Sequence, residues 1–296
     1  MKPLTISIII PTYHDWNRLS LCLQALERQS YPKEFIEIIV VNNASDDQIP
    51  EWLDIPDNCR IIVEKERGSY AARNTGIKLS EGEILAFTDS DCIPDINWIE
   101  NAIRYFKEGP GIHRIGGRVE LFYQTDKPNL AEAYETIYAF RQDLYVKDGG
   151  AVTANMISRR NVFEEVGLFN SNMYSGGDNE WGQRATAKGF NIVYAPEVIV
   201  KHPARNKVRD LVRKARRISS GLSQKRKSKV STHFKKLVRL IFLPPFGELK
   251  NIFSNRYAIT SWKKIAVFSL RYYILLVINV ENIKFHYGAK PFTDTI

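Results

Sequence analysis

The chain has 296 residues, 44% of them hydrophobic and 25% charged, which is the composition of a globular protein with a sizeable core. It contains no long low-complexity stretch and no internal repeat, so fibrous and solenoid architectures are excluded. The three cysteines, Cys22, Cys59 and Cys92, are widely spaced and lack metal-ligand spacing. They argue for a reducing compartment and against a disulfide framework, and with no apparent signal peptide we expect a cytoplasmic location.

The net charge of +9 is distributed unevenly along the chain. Residues 201–296 hold 22 Lys and Arg against four acidic residues, whereas residues 1–200 are net acidic. Such asymmetry indicates two functional parts, of which the basic one faces an anionic partner. We therefore predict a folded domain over 1–203 and a basic, helical region over 204–296.

The first ninety residues alternate between strand and helix patterns. Short β-rich runs predict strands over 5–10, 35–41, 60–63 and 84–88, and helical apolar spacing predicts helices over 19–26 and 70–79. The near-continuous Ile and Val runs indicate strands covered on both faces. An open α/β sheet with mostly parallel strands is therefore expected.

Polar clusters follow three of these strands, at 11–13, 42–47 and 89–91. In open α/β sheets ligands bind at the carboxyl ends of the strands, so these clusters predict one site. The chain has neither the glycine-rich turn of dinucleotide-binding folds nor a phosphate-binding loop. A bound phosphate would need another partner, and a metal on carboxylates is the obvious candidate.

Five blocks then make the sequence recognisable: SIIIPTYHDWNRLSLCLQALERQSYP, EIIVVNNASDD, GSYAARNTGI, GEILAFTDSDCIPD and SGGDNEWGQRA. Together and in this order they resemble glycosyltransferase family 2, over about residues 4–203. The resemblance implies the GT-A fold and transfer of a sugar from a nucleotide-sugar donor.

The Asp89-Ser90-Asp91 segment resembles the D-x-D motif of that family. It implies a Mn²⁺ or Mg²⁺ ion held by Asp91, with Asp89 on the ribose or on a metal-bound water, since hard cations prefer carboxylate oxygens. His202 would complete the metal shell or touch the phosphate, unless it is a structural histidine. Cys92 is interpreted as a small packing residue.

The resemblance also assigns residues to the nucleotide-sugar donor: Pro11, Thr12, Tyr13, Asn42, Asn43, Arg73, Asn74, Asp89, Ser90 and Asn155. Tyr13 would stack on the base. Asn42 and Asn43 stand where the family usually carries an Asp, which leaves the preference for uracil open; an ordinary Asx turn is the alternative. Arg73 would hold the diphosphate or steady the carboxylates, or else form a structural salt bridge.

Asp178 occupies the place of the family's catalytic base, and Gly177 replaces the first residue of the usual Glu-Asp pair. A base is needed because the acceptor hydroxyl loses its proton as it attacks the anomeric carbon. A helix beginning at about Asp178 would favour its ionised form, and capping of that helix is the alternative role. Glu180 is the reserve candidate, and Trp181 either lines the acceptor site or packs in the core.

These assignments imply a metal-dependent, inverting transferase that uses a nucleotide-diphosphate sugar, with UDP as the favoured nucleotide. Its acceptor would be a glycan or lipid-linked hydroxyl in cell-surface glycan or glycolipid synthesis. The alternatives are a sugar nucleotidyltransferase and a non-catalytic, membrane-binding scaffold on a transferase fold. The first would need a glycine- and arginine-rich loop after strand one, which this chain lacks.

The C-terminal third combines basic and apolar segments. Residues 205–239 contain 14 basic residues and one acidic residue, and apolar runs follow at 234–246 and 262–280. The second run has an unbroken apolar core of only about seven residues, too few to cross a bilayer. Lys264, Arg271 and Asn279 fall on one side of a helix, as in helices at an anionic membrane surface. We expect peripheral contact with the inner face of the cell membrane; buried helices or an oligomer contact are alternatives, and no nucleic-acid motif is present.

Overall fold

The computed structural model describes residues 3–43, 46–173, 175–225, 230–254, 257, 259–287 and 289. Residues 44–45 of the polar turn at 42–47, and 226–229 of the basic run, lie outside the described residues. Eight strands form one sheet: β1 (Ile6–Thr12), β2 (Ile36–Asn43), β3 (Cys59–Glu64), β4 (Ile84–Phe87), β5 (Ile93–Pro94), β6 (Arg114–Phe122), β7 (Met156–Arg159) and β8 (Ile192–Pro203).

The strand order is β3-β2-β1-β4-β7-β6-β8-β5. The first four strands in this order are parallel to one another, as predicted. Beyond β4 the sheet becomes mixed, because β7 pairs antiparallel with both β4 and β6, and β5 pairs antiparallel with β8.

Eleven α-helices are described: α1 (Trp16–Glu27), α2 (Ser69–Leu79), α3 (Trp98–Glu108), α4 (Leu130–Tyr138), α5 (Gln142–Tyr145), α6 (Arg160–Val166), α7 (Gly177–Ala187), α8 (Val208–Lys225), α9 (Val230–Phe242), α10 (Leu249–Ile252) and α11 (Ser261–His286). The four strands and two helices predicted for the first ninety residues are all present. The α/β sheet and the helical C-terminal region are thereby confirmed.

The sheet is covered on both faces. Alternate residues of β1 and β2 pack with α1 and α3 in one core, whereas Ile39 and Val41 pack with Ala72 of α2 on the other face. Helix α2 approaches closely because Gly76 has no side chain: a Cβ there would lie 2.5 Å from Cγ2 of Ile9. This contact fixes α2 across β1 and β2, close to the ends of the strands that precede the polar clusters.

The chain divides into two compact units. The first comprises residues 1–120, 140–172 and 177–202 and holds the sheet apart from the last residues of β6 and β8. The second comprises 121–139, 173–176 and 203–296 and contains α4 and α8–α11. The predicted functional boundary at 203/204 stays a prediction.

In the second unit, α11 packs against α4, α8 and α9. Its polar side is turned inward: Lys264 and Asn279 are buried, and the Lys264 ammonium donates to the carbonyl of Ser254 at 3.1 Å. Arg271 donates to Glu248 at 2.9 Å and to the Tyr134 hydroxyl at 3.3 Å. The expectation that these side chains of α11 face an anionic membrane is therefore wrong, because they have partners inside the unit.

Within the described residues, α11 is the one helix long and apolar enough to cross a bilayer by length and composition. This finding rests on length and composition alone, so the prediction that the segment is too interrupted to cross a bilayer stays a prediction. Core helices pass the same test.

Candidate functional site

The ends of β1, β2 and β4 bring three polar segments to one edge of the sheet. Thr12 pairs in register with Asn42, and β1 also pairs with β4, which is followed by Thr88 and Asp89. The clusters predicted to share a site therefore do lie on neighbouring strands. Their order along the edge is β2, β1, β4.

Four residues with potential metal ligands converge beyond β4. One ligand atom from each of Asp89, Asp91, Cys92 and His202 lies within 4.8 Å of the others. Nε2 of His202 is 3.6 Å from Oδ1 of Asp91. The histidine ring is buried and lies against the ring of Phe140, with centroids 4.4 Å apart.

Strand pairing explains how His202 reaches this cluster. Ile93 of β5 pairs with Lys201 of β8, so the residue after Lys201 lies beside the segment that carries the two aspartates. An apolar run precedes His202 in the sequence, but nothing in that run indicates this pairing. The three residues predicted to bind metal are thus brought together.

Cys92 belongs to the packing around the cluster. Its side chain is fully buried in the main core, and burial together with the charges of Asp89 and Asp91 raises the pKa of the thiol well above its usual range. A protonated thiol is a poor metal ligand. The remaining set of two carboxylates and one imidazole fits Mn²⁺ or Mg²⁺, which favour oxygen donors and leave positions for phosphate and water.

Further charges surround the two aspartates. Arg73 is 4% exposed, donates to Oδ1 of Asp89, and also donates to the carbonyl of Ser69 at 3.3 Å. Arg18 lies 3.5 Å from Oδ2 of Asp91 and donates to Asp15 at 2.8 Å. The ion pair with Asp89 fits both a structural salt bridge and the steadying of a carboxylate in the D-x-D segment, and contact with the diphosphate stays a prediction.

Thr12 and Asn42 carry buried polar atoms without partners at the sheet edge. Each residue is 2% exposed, and neither Oγ1 of Thr12 nor Oδ1 of Asn42 has a hydrogen-bond partner among the described residues. Buried polar groups are normally paired. The two atoms are therefore available to a ligand that reaches between β1 and β2.

The residues next to Thr12 in the sequence, and the D-x-D segment, lie at the same edge of the sheet. Pro11 and Tyr13 are partly exposed, and the Tyr13 ring meets His14 edge-on with centroids 4.1 Å apart. His14 has a positive φ of 49° and its imidazole contacts Asp47. The Ser90 hydroxyl, inside the D-x-D segment, donates to Asp15 at 3.3 Å.

Two of the predicted donor-binding amides, those of Asn43 and Asn74, form hydrogen bonds with protein backbone. Asn43 donates to the Glu66 carbonyl at 2.7 Å and accepts from Gly68, which holds the loop before α2. The Asn74 amide exchanges two hydrogen bonds with the backbone of Phe169, at 2.9 and 3.0 Å. Both side chains use their amide on protein backbone, which is the reason to assign them to the fold.

Asn155 is the clearest departure from the sequence prediction. Its side chain is 0% exposed, accepts from the Trp98 indole at 2.9 Å, and donates to the carbonyls of Arg118 at 2.8 Å and Val198 at 2.9 Å. An amide with no exposed surface and these three partners cannot touch a donor sugar. It joins α3, β6 and β8 in the core.

Asp178 lies in the first turn of α7, beside α2. Its Oδ1 accepts from the backbone of Asn179 at 2.9 Å and from the Tyr70 hydroxyl at 3.2 Å. The same hydroxyl accepts from the backbone N–H of Gly177 at 2.9 Å. Tyr70 and Arg73 lie one turn apart on α2, with the guanidinium 5.8 Å from the ring centroid.

The helix-dipole argument for Asp178 gives the wrong sign. Burial raises the pKa of Asp178 above its ordinary value of 3.8, and this outweighs the hydrogen bonds from Asn179 and Tyr70 and the charge of Arg73, all of which lower it. Desolvation destabilises the ionised carboxylate by more free energy than the first turn of the helix provides in stabilisation.

Two further residues of α7, Glu180 and Trp181, contact other parts of the fold. Glu180 accepts from Arg184 at 2.8 Å, and Arg184 also donates to the carbonyls of Val166 and Leu168. Trp181 is fully buried, stacks on Phe163 at 4.1 Å and donates to the Gly167 carbonyl. Of the two open roles for Trp181, core packing is the one found.

Sequence reasoning missed Tyr70, which lies between the two predicted parts of the site. The available signal was its position three residues before Arg73, which puts both side chains on one face of a helix. The spacing alone could not show that this face of the helix contacts Asp178.

Comparison with known proteins assigns this arrangement to a family. A sequence profile described as glycosyl transferase family 2 matches residues 7–167. The glycosyltransferase AglE of Haloferax volcanii is 39% identical over 228 residues, covering 74% of this chain and 73% of its own. A Methanococcus voltae enzyme, named dolichyl N-acetyl-alpha-D-glucosaminyl phosphate 3-beta-D-2,3-diacetamido-2,3-dideoxy-beta-D-glucuronosyltransferase, is 25% identical over 226 residues and covers 70% of each chain.

The fold is also similar to that of a solved enzyme. The mannosyltransferase PcManGT of Pyrobaculum calidifontis, solved with GDP-Man and Mn²⁺, superposes with a TM-score of 0.58 and 18% identity. The match covers 98% of this chain and 78% of that one. It supports the GT-A architecture that the sequence blocks predicted.

Proposed function

The chain belongs to glycosyl transferase family 2 and is a glycosyltransferase, and we propose that it transfers a sugar from a nucleotide-diphosphate sugar to an acceptor hydroxyl with inversion. One observation carries the proposal. On helix α2, Arg73 donates to Asp89 of the D-x-D segment, and Tyr70 donates to Asp178. The carboxylates expected to bind the donor and the proposed base therefore both contact one face of α2. Family membership decides against a sugar nucleotidyltransferase and against a scaffold without catalytic activity.

The donor diphosphate binds at the carboxylate cluster. Asp91, Asp89 and His202 would hold a divalent cation, which supplies positive charge to the departing diphosphate. Arg18, beside Asp91, adds charge at the same place. Manganese in the PcManGT complex is consistent with this set, although that similarity concerns the fold.

The nucleotide base lies on the edge formed by β1 and β2. Oγ1 of Thr12 and Oδ1 of Asn42, which have no partner in the part of the chain that the structure describes, supply polar partners for a base edge, and the partly exposed Tyr13 ring supplies a stacking surface. An amide can both donate to and accept from a pyrimidine. We therefore propose a UDP-sugar as the donor.

Asp178 acts as the general base. The acceptor oxygen attacks the anomeric carbon, its proton passes to the Asp178 carboxylate, and the bond between that carbon and the diphosphate oxygen breaks. The electron pair of that bond leaves with the nucleoside diphosphate, so a single displacement inverts the anomeric centre. A raised pKa suits Asp178 to this task, because a stronger base accepts the proton more readily.

The acceptor is proposed to be a lipid-linked sugar. The name of the Methanococcus voltae relative describes a dolichyl-phosphate-linked acceptor, and the second unit of this chain has a surface suited to a membrane. Helix α9 exposes Phe234, Ile241 and Phe242, with Phe242 77% exposed, next to the basic Lys235 and Arg239.

Helix α9 presents these residues outward because its other side packs on α11. The Tyr272 hydroxyl of α11 donates to the Leu240 carbonyl at 2.9 Å. Aromatic and aliphatic side chains flanked by cations suit the interface of an anionic bilayer. The proposed location is thus peripheral, on the cytoplasmic face of the membrane.

A transfer assay tests the proposal. Purified protein is incubated with Mn²⁺, a panel of UDP- and GDP-sugars, and sugar phospholipids as acceptors, and products are identified by mass spectrometry. We expect transfer from a UDP-sugar and none from the Asp178→Asn variant, which should still bind UDP. Full turnover by Asp178→Asn would remove Asp178 from the role of base.

A further inference from the structure

The neighbourhood of Gly177 contains a substitute for the residue that family resemblance leads one to expect there. Position 177 would ordinarily carry a carboxylate beside the base. In this chain the ring of Tyr70 fills the space next to it. A Cβ on residue 177 would lie 2.7 to 3.0 Å from three carbons of that ring, so no residue larger than glycine fits without moving Tyr70.

The Tyr70 hydroxyl has one arrangement that satisfies both of its neighbours. The backbone N–H of Gly177 can only donate, so the hydroxyl oxygen accepts from it at 2.9 Å. The hydroxyl proton is then free to point to Oδ1 of Asp178, 3.2 Å away. Burial keeps this hydroxyl protonated by raising the pKa of Tyr70 above its usual range.

The ring itself is held in place from behind. Tyr70 is 6% exposed and packs on Phe169, with ring centroids 5.6 Å apart. The backbone of Phe169 is fixed in turn by the two hydrogen bonds from Asn74 on the same helix as Tyr70. A side chain fixed in this way can orient a carboxylate at little entropic cost when the substrate binds.

We propose that Tyr70 is the positioning residue of the base Asp178, and that Gly177 is present because the Tyr70 ring occupies the space of the missing carboxylate. This inference rests on the proposed role of Asp178. Tyr70 acts through Asp178 and does not exchange protons with the acceptor.

Two predictions separate a positioning role from a packing role. Tyr70→Phe keeps the ring and removes the hydroxyl, so we expect kcat to fall about tenfold, the size of a lost hydrogen bond to a charged group, with KM for the donor unchanged. The hydrogen bond from Tyr70 lowers the pKa of Asp178, so its loss should also move the acidic limb of the pH–rate profile to higher pH.

Other groups that face Asp178 could also change its pKa, so they must be the same in the two enzymes that are compared. Among the described residues the groups that face Asp178 are Tyr70 and Arg73 on α2 and Tyr145 on α5. Arg73 and Tyr145 are untouched by Tyr70→Phe, so a shifted limb reports the removed hydroxyl. Tyr31→Phe is the matched control, because the buried Tyr31 hydroxyl donates to the Leu4 carbonyl at 2.8 Å and lies outside the site.

A double-mutant cycle tests the fit between the two positions. Gly177→Ala should lower kcat when Tyr70 is present, because the new methyl group displaces the ring, and should cost nothing further in the Tyr70→Ala background. Additive effects, or a Tyr70→Phe enzyme with the kcat and acidic limb of Tyr31→Phe, would overturn the inference. If Asp178→Asn abolishes turnover in the same assay, the proposed base survives that failure; if it does not, the base itself is wrong.

Discussion

Nε2 of His202 lies 3.6 Å from Oδ1 of Asp91, although the two residues are far apart in sequence and His202 is the last residue of the first unit. The contact exists because β5, directly after Asp91, pairs antiparallel with β8, which contains His202. A two-residue strand thus closes the cluster. The candidate metal site therefore depends on the pairing of these strands as much as on the D-x-D segment itself.

The first prediction concerns the ion. Asp91→Ala should weaken Mn²⁺-dependent binding of UDP at least tenfold, since it removes a charged ligand from a set of three. His202→Ala should have a smaller effect in the same direction. Isothermal titration of UDP with and without Mn²⁺ measures both, and Asp54→Ala, which removes an exposed carboxylate elsewhere, is the control. An unchanged affinity in Asp91→Ala would refute the metal assignment.

The second prediction concerns the pH dependence of turnover. Because the pKa of Asp178 is raised, the base becomes protonated, and kcat/KM falls, at a higher pH than for an ordinary aspartate. Arg73→Met should move this acidic limb higher still, because the Arg73 charge lowers that pKa. A profile that stays flat down to about pH 4, the region where an ordinary Asp titrates, would contradict the assignment.

The same shift predicts a change in stability. A carboxyl group whose pKa is raised by folding destabilises the folded state at every pH above that raised value, where it must be ionised while buried. Asp178→Asn should therefore raise Tm at pH 7 by about 2–4 °C for each kcal/mol relieved, while turnover is lost. Glu180→Gln is the comparison: it should lower Tm by breaking the contact with Arg184 and leave most of the turnover. Differential scanning fluorimetry reads both.

The features that could be predicted from the sequence are those that depend on local interactions, whereas those that depend on long-range contacts could not be predicted. Strands β1–β4 and helices α1 and α2 follow from local apolar patterns, and the edge site follows from the parallel order of those strands. The pairing of β5 with β8 and of β7 with β4 is long-range, and no local pattern encodes it. Among the site residues, Asp91 and His202 were predicted from the resemblance of the sequence blocks to those of the family, since neither residue type is specific by itself.

The roles of the asparagines were harder to predict, because an Asn side chain can form hydrogen bonds with a ligand or with protein backbone equally well. Among the described residues the side-chain carbonyl of Asn42 has no partner, whereas Asn155 has no exposed surface, and nothing in their local sequence separates the two. The C-terminal region shows the same limit. Basic spacing on α11 suggested a membrane face, yet Lys264 and Arg271 have partners inside the unit. Exposed apolar side chains lie on α9 and on other positions of α11, such as Trp262 and Ile265.

The fourth prediction concerns the structural role of Asn155. Asn155→Leu would leave the Trp98 indole and the carbonyls of Arg118 and Val198 without their partners. Each unpaired buried group costs about 1–3 kcal/mol, so we expect a loss of about 3 kcal/mol or more in the free energy of unfolding. Urea unfolding measures the loss. If Asn155→Leu instead kept full stability and lost only donor affinity, Asn155 would belong to the donor site after all.

The last prediction concerns the membrane face of α9. Ile241→Ser together with Phe242→Ser should reduce cosedimentation with vesicles containing anionic phospholipid, because burial of these exposed side chains in the bilayer supplies about 25 cal/mol for each Å². Lys235→Glu with Lys236→Glu should reduce binding to anionic vesicles and make it less sensitive to salt, since the electrostatic attraction is screened. Trp52→Ser is the matched control, because Trp52 is 58% exposed in the first unit. Binding that is equal for neutral and anionic vesicles, or unaffected by all four α9 substitutions, would show that this face serves another partner.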